Sequence, residues 1–451
     1  MIVISTYSLD WIYKVERNLG KKKFDPKLIE KVIYALTFLE QLKLNKLEFT
    51  FKGGTALLLA TKEPKRFSID IDIITEQPQI EIEAILENIS KVEVFTRWES
   101  DNDRKHIPDA PVSHYKMYYI SDVDKKEEPI LLDILHTPNP YPEVSEIPIE
   151  HNWIQTSGKV VSVKMPTFDS ILGDKLTAFA PKTTGILYSK ERPVEIIKQL
   201  FDVAFLIDNI SDLNVVRKSY NKVVEEEIKF RKLDVFANNV LEDSQEACFV
   251  LSTRDVNLEE FKHLQLGISN FTNFTITRFN IEEAITASAK VAYLSEVLKN
   301  KDKLGLEKFE EPLQVKDWLI ENEQFNKLNK LKKTNPEAFF YWYKTIMLYA
   351  QDNLILSNQD AKSLKEAIKY FRVREGNFSS EDPLLFILEK IDSSNPFKDF
   401  NESDKAMIIK VINENIVFLN SYEYGGLTTE LTIANKQEIL EPLYNLRKNI
   451  L

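Results

Sequence analysis

The segment spanning residues 51–74 reads FKGGTALLLATKEPKRFSIDIDII, and few folds can accommodate it. The pair Gly53-Gly54 joins a short apolar run to a run of helical character, a strand–turn–helix unit. Glycine is scarce here, 11 in 451 residues, against an average usage of about 7%. An adjacent pair therefore marks a place where the backbone needs freedom or close approach. Beyond Pro64, Phe67–Ile74 alternates. Ile69, Ile71 and Ile73 point to one face, and Ser68, Asp70 and Asp72 to the other. Two carboxylates thus share one strand face while isoleucines anchor the opposite face in a core.

The flanking sequence supplies a sheet and helices to hold this unit. Asp25-Pro26 reads as an N-cap and first helical residue. Ile29, Val32, Ile33, Leu36, Leu39 and Leu42 then follow helical spacing. Strands are expected at Leu47–Phe51, His114–Ser121 and Ile130–His136, with helices at Thr55–Thr61 and Ile80–Ser90. A Pro-rich stretch, Thr137–Pro148, is expected to close the α/β segment. From Phe168 onward the pattern is mostly helical, beginning with Phe168–Ala178 and Pro193–Ile207. The charged stretch Lys299–Glu311 is the best linker candidate. Asn335-Pro336-Glu337 opens a helix with aromatics at 339–343, which at helical spacing predict core packing rather than a base-stacking platform. Lys327, Lys330, Lys332 and Lys333 predict a solvated helix end. Further helices are expected at Ser380–Lys390 and Ser403–Leu419, and a second glycine pair stands at Gly425-Gly426. The fold class is α+β: a small mixed sheet followed by a mostly α-helical C-terminal part. Three domains are expected: an α/β core at 1–165, a helical part at 166–302 that completes the site, and an additional helical domain at 303–451.

Composition narrows the class of protein. Hydrophobic residues at 43% and charged residues at 29% are those of a globular chain. No apolar run reaches the roughly 18 residues of a membrane span, and the N-terminus lacks a signal-peptide pattern. Cys248 is the only cysteine, which excludes an intrachain disulfide and a thiolate zinc site and fits a reducing cytoplasm. The formal net charge of −11 excludes a bulk basic nucleic-acid-binding module. A nucleic-acid substrate would need a local patch.

The carboxylates carry the chemistry. Phosphoryl and nucleotidyl transfer depend on positioning and charge neutralisation, and two divalent ions can clamp both the attacking and the leaving oxygen. Mg²⁺ prefers carboxylates, phosphate oxygens and water. Asp70 and Asp72 would supply two ligands. Asp133, which interrupts the apolar run Ile130–Leu135, is the natural third, because an unpaired carboxylate there would be costly. Gly53 and Gly54 would let backbone N–H groups approach phosphates.

These residues resemble the DNA polymerase β-type nucleotidyltransferases, and within them the AbiEii/AbiGii (MenT-like) toxin family. The first family motif, a strand, GG(S/T), a short helix and R-x-S-x-D-h-D, is matched by Gly53, Gly54, Thr55, Arg66, Ser68, Asp70 and Asp72. A basic residue on a strand is matched by Lys116, and an Asp in an apolar strand by Asp133. A helical A/D-K-L-x-A and a second R-D-h-x-D-h helix are matched by Gly173–Ala178 and Lys198–Val203, with Lys198-Gln199 in place of R-D. The resemblance covers roughly residues 25–300. It implies a metal-dependent nucleotidyltransferase with Mg²⁺ or Mn²⁺ on Asp70, Asp72 and Asp133 and an NTP as substrate. It further implies that Thr55 adds a hydroxyl at a helix start, that Lys175 contacts the phosphates and that Asp202 positions Lys175. Arg66, Ser68 and Lys116 would contact phosphate or acceptor. The acceptor would be a tRNA end or a protein hydroxyl, the biological role that of a toxin in a toxin–antitoxin or phage-abortive system, and the partner a cognate antitoxin. The alternatives are the same chemistry on a small molecule such as an antibiotic, or a catalytically silent binding protein of this fold. The five histidines show no ligand spacing and are expected to be structural or exposed.

Overall fold

The computed structural model describes residues 1–353 except 21–22, 105–109 and 300–304. It also describes 364–365, 367–369, 371–372, 384–385, 387–388, 407–408 and 410–415. The chain opens with α1 (Leu9–Asn18) and α2 (Pro26–Leu44). Asp25 caps α2 by accepting the Lys27 N–H at 3.0 Å, with Pro26 in the first turn. Almost every α2 residue from Ile29 to Leu42 is buried, which makes it a central core helix.

The strands follow as β1 (Thr50–Lys52), β2 (Ile71–Ile74), β3 (Arg97–Ser100), β4 (Val112–Ile120), β5 (Glu127–Leu135), β6 (Val144–Pro148) and β7 (Ser162–Pro166). Helix α3 (Gly53–Ala60) leaves β1 directly, and α4 (Gln79–Ile89) joins β2 to β3. The strands form one mixed sheet in the order β3-β4-β5-β2-β1-β7-β6. β1 runs parallel to β7 and β2 to β5, and the other pairs are antiparallel. In β5 the apolar face, Ile130, Leu132 and Ile134, is buried, while Leu131, Asp133 and Leu135 are only partly so. That alternation turns Asp133 away from the core that receives the isoleucines.

Two expectations about the sheet need correction. The strand expected over Phe67–Ile74 pairs regularly only at Ile71–Ile74. Residues just before it bond instead to the distant segment 274–276: the Phe67 N–H donates to the Phe274 carbonyl and the Ile276 N–H to the Lys65 carbonyl, both at 2.8 Å. The Pro-rich stretch does not end the sheet either. It contains β6, an edge strand whose proline lies at its end, where a missing N–H is tolerated.

Beyond β7 the described residues are mostly helical: α5 (Phe168–Ala178), α6 (Pro193–Asp208), α7 (Leu213–Arg231), α8 (Ala237–Thr253), α9 (Glu259–Phe271), α10 (Ile281–Lys299), α11 (Leu331–Thr334) and α12 (Pro336–Asn353). α5 packs on α6 and α7, α6 on α9 and α10, and α8 on α10. The aromatic run of α12 is core: Phe339, Phe340, Tyr341 and Trp342 are buried, and the Trp342 indole donates to Ser252 Oγ at 2.9 Å. Within the chain two compact units separate, Met1–Tyr343 and Lys344–Leu451. In the second, Leu364, Ile368, Ile387, Ile408, Val411 and Ile412 are buried. The helices expected at 380–390 and 403–419 lie largely outside the described residues, but their described parts are helical. Part of the linker candidate, 300–304, and Gly425-Gly426 also lie outside them.

Candidate active site

Four neighbouring strands place one residue each in a row across the sheet. Lys52 on β1 faces Asp72 on β2, Asp72 faces Asp133 on β5, and Asp133 faces His114 on β4. Strand spacing of about 4.8 Å sets the two carboxylates side by side. All four line a cavity of about 950 Å³, with Gly53, Gly54, Arg66, Ser68 and Asp70. The helical part supplies the far wall: Asp174 and Lys175 of α5, the start of α6 from Pro193 to Gln199, and Leu266 and Asn270 of α9.

The glycine pair is required by contact as well as by turn. Gly53 has φ +80°, and a Cβ on it would come within 2.8 Å of Asp72 Cγ and closer still to Oδ2. A Cβ on Gly54 would meet Arg66 Nη2 and Ser68 Oγ at 2.5 Å each. Thus the backbone of the β1–α3 turn lies directly against the side chains that the second half of the motif delivers.

Three of the cavity's cations, Arg66, Lys175 and Lys52, are held by buried acids. Arg66 makes a two-pronged contact with Asp202, Nε donating to Oδ1 at 2.7 Å and Nη2 to Oδ2 at 2.6 Å. Lys175 Nζ lies 2.9 Å from the same Oδ2 and donates to Gln199 Oε1 at 3.1 Å. Burial would raise the Asp202 carboxyl, but Arg66 and Lys175 outweigh it and hold it at about 2. On the other side, Lys52 Nζ lies 3.0 Å from Asp174 Oδ2, to which the Tyr141 hydroxyl donates at 2.6 Å. Burial opposes the charge on Lys52, yet Asp174, Tyr141 and Asp72 raise its pKa well above the ordinary value.

Asp72 behaves differently. Burial and the neighbouring Asp133 and Asp70 push its carboxyl up to about 7, with Lys52 and Lys175 offsetting only part of that rise. Such crowding of like charge is what a cation would relieve. Among the described residues, no three His, Cys, Asp or Glu side chains close into a metal cage by themselves. Mg²⁺ does not need one, since it is commonly held by one or two carboxylates plus substrate phosphates and water. The hard oxygen donors of Asp70, Asp72 and Asp133 fit such an ion.

Not every residue expected at the site reaches it. Thr55 is fully buried within α3, and its hydroxyl has no hydrogen-bond partner. It packs the helix and does not line the cavity. Lys116 shares a sheet face with His114 but turns towards β3, with Nζ 2.9 Å from Asp101 and 3.6 Å from Glu99. Those two acids draw it off the cavity. Asp202 stands behind Arg66 and Lys175. Conversely, the sequence does not single out Lys52 or His114, and it gives Asp174 a place in the Gly173–Ala178 motif but no role at the site. Lys52 directly precedes the glycine pair and Asp174 directly precedes Lys175, so both signals were local. His114 is structural, as expected of the histidines, but cross-strand register brings it beside Asp133 in the cavity, a place that sequence spacing does not reveal.

A glycine turn, carboxylates on adjacent strands and a helical lysine opposite them are the parts of a nucleotidyltransferase. The chain belongs to the AbiEii nucleotidyl transferase toxin family of type IV toxin–antitoxin systems, whose model matches residues 37–327. Membership implies an antitoxin partner, and the family generally uses an NTP and a divalent metal. Among solved structures the chain is similar to a provisionally assigned nucleotidyltransferase from Helicobacter pylori, at 15% identity and a TM-score of 0.35, covering 63% of this chain and 97% of that one. It is similarly like JHP933 from Helicobacter pylori, also at 15% identity and a TM-score of 0.35, covering 62% of this chain and 94% of that one. No curated protein matches significantly. Among the described residues no helix is long and apolar enough to cross a membrane.

Proposed function

We propose that this chain is the metal-dependent toxin of its system and transfers a nucleoside monophosphate from an NTP to an acceptor hydroxyl on a tRNA end or a protein. The observation that carries this reading is the side-by-side pair Asp72 and Asp133, crowded enough to raise Asp72, with Asp72 directly against Gly53 in one cavity. A divalent ion on Asp70, Asp72 and Asp133 would neutralise phosphate charge and activate the attacking oxygen.

The chain's own groups divide the remaining work. Gly53 and Gly54 give the phosphates access to the backbone. Lys175 and Lys52 flank the glycine turn as fixed positive charges, held by Asp202 and Asp174. Arg66 anchors Asp202 and contacts the phosphates from the cavity wall, with Ser68 beside it. Asp133 orients the acceptor hydroxyl and takes its proton as its oxygen bonds to the α-phosphorus. The bond from that phosphorus to the pyrophosphate oxygen breaks, and pyrophosphate leaves with the electron pair. The cavity volume of about 950 Å³ lies near the upper end of the 300–1,000 Å³ usual for small-molecule sites, leaving space for an acceptor end beside the nucleotide. The same logic divides the work along the chain: 1–165 carries the carboxylates, 166–302 supplies Lys175 and the far wall, and 303–451 is additional, its residues up to Tyr343 lying in the same compact unit as the site.

The test is incubation with each α-labelled NTP and Mg²⁺, with total tRNA, protein or small-molecule acceptors. Label is expected on tRNA or protein and is expected to vanish with Asp70→Ala. Label confined to small molecules would refute the acceptor. Unchanged turnover and growth inhibition in Asp70→Ala would refute the enzymatic reading.

A further inference from the structure

Beside Asp133 stands an imidazole that the scheme above does not use. His114 and Asp133 are directly opposed in the antiparallel pair of β4 and β5, and Nδ1 lies 2.8 Å from Oδ1. Against a carboxylate, Nδ1 carries the proton and donates. The backbone of His114 is fixed from its outer side. Its N–H donates to Asn102 Oδ1 at 2.8 Å, and its carbonyl accepts the Asp101 N–H at 2.8 Å. The ring itself is largely buried, with the side chain 16% exposed.

Asp133 is less confined. Its side chain is 34% exposed, so packing alone does not set its rotamer. On its inner side is Asp72, a like charge, which drives it outward. The charge-assisted hydrogen bond from the fixed His114 ring gives that carboxylate a directional contact on its outer side.

We propose that His114 is the positioning residue for Asp133: its Nδ1–H holds Oδ1 and thereby turns Oδ2 to the cavity where the acceptor hydroxyl arrives. The inference rests on the reading of Asp133 as the third carboxylate of the transfer site. It parallels the way outer-shell partners fix the orientation of ligating groups, whose removal typically costs about 10–100-fold in activity or affinity. Lys52 stands at the other end of the same row and steadies Asp72 by charge, so each carboxylate has its own outer partner.

The test compares His114→Phe, His114→Ala, His114→Asn and Asp133→Asn in the full chain, using the NTP that the wild type turns over fastest. Phenylalanine keeps the ring volume without a donor. Asparagine places an amide N–H near the position of Nδ1 but cannot act as a base. The Phe and Ala variants are expected to lose about 10–100-fold in kcat, with KM for the NTP within about twofold, since nucleotide binding is untouched. Asn is expected to restore most of kcat. Wild-type kcat in the Phe and Ala variants, or an Asn variant as poor as Phe, would overturn the proposal. Proton–nitrogen NMR gives a second readout independent of turnover. The His114 Nδ1–H signal is expected in the wild type and lost in Asp133→Ala, and its unchanged persistence there would also overturn it. Failure of the underlying reading looks different: full turnover in Asp133→Asn, or none by the wild type with any of the four NTPs.

Discussion

Gly53→Ala tests most directly why the glycine pair is there. Two separate penalties follow from the structure. The first is conformational: φ is +80°, and a side-chain-bearing residue held in the left-handed region costs about 1–3 kcal/mol. The second is steric and local. The new methyl group would stand 2.8 Å from Cγ and 3.0 Å from Cβ of Asp72, so the carboxylate must rotate away from its place beside Asp133. A displacement of about 1 Å at reacting groups can cost on the order of 100-fold in rate. The variant should therefore lose about 1–3 kcal/mol by denaturant titration and about 100-fold in turnover per folded molecule. Gly158→Ala is the matched control. Gly158 has φ +67°, but a Cβ there meets nothing within 4 Å. It should lose stability to a similar extent and keep full turnover. If Gly53→Ala matched it in both measurements, the close approach of Gly53 to Asp72 would have no functional consequence, and the reasoning would fail.

Asp202→Asn should destabilise the chain by about 3–5 kcal/mol in denaturant titration, because Arg66 and Lys175 would remain buried without their common counter-charge. Thr55→Val should keep turnover, since its buried hydroxyl has no partner; a loss above tenfold would restore a phosphate role. Lys116→Ala should also keep turnover and leave the denaturation midpoint nearly unchanged, as its surface pairs with Asp101 and Glu99 are worth little. His151 accepts the Trp153 N–H at 3.2 Å and is otherwise largely enclosed. Burial lowers its pKa to about 4, against about 6.5 when unfolded. Between those values the unfolded chain binds more protons. The contribution is therefore complete above about pH 6.5 and lost as the pH falls towards 4, amounting to about 1–3 kcal/mol. His151→Phe should flatten that part of a stability–pH profile, and an unchanged slope would refute the assignment.

Local signals are legible in this sequence and non-local ones are not. Asp25-Pro26 located α2, and the Phe168–Ala178 helix appears with the expected bounds, because caps and periodicity act within a few residues. Strand alternation predicts the face of Asp72, whereas Asp133 is marked by its interruption of an apolar run; both line one cavity. What alternation could not give was register. Nothing in HYKMYYIS tells whether His114 or Lys116 will stand opposite Asp133; a shift of two residues exchanges them without changing the face. β6 was hidden because prolines depress strand character except at edges and ends. The detour of residues 65–67 to bond with 274–276 links segments about 210 residues apart, as the Thr275 hydroxyl bond to the Lys65 carbonyl shows. No local pattern encodes such a contact.

The acids behind the cations explain how such a site is stable before any ligand arrives. Three free cations around one glycine turn would repel each other and resist burial. Asp174 neutralises Lys52, and Asp202 is shared by Arg66 and Lys175. Asp70, Asp72 and Asp133 add three carboxylates to the same cavity, so a polyphosphate is favoured together with a cation that offsets them. Adjacent residues of one helix do both jobs. Asp174 ties α5 to β1 through Lys52, and Lys175 ties it to α6 through Asp202 and Gln199. The helix is thereby keyed to the sheet and to the far wall at once. Asp174→Asn should consequently weaken NTP binding by releasing Lys52, even though position 174 need not touch the nucleotide. Isothermal titration with a non-hydrolysable NTP analogue would measure it. A Lys52→Met, Asp174→Asn double variant should be no worse than Lys52→Met alone, whereas full additivity would show that Asp174 acts on the nucleotide by itself.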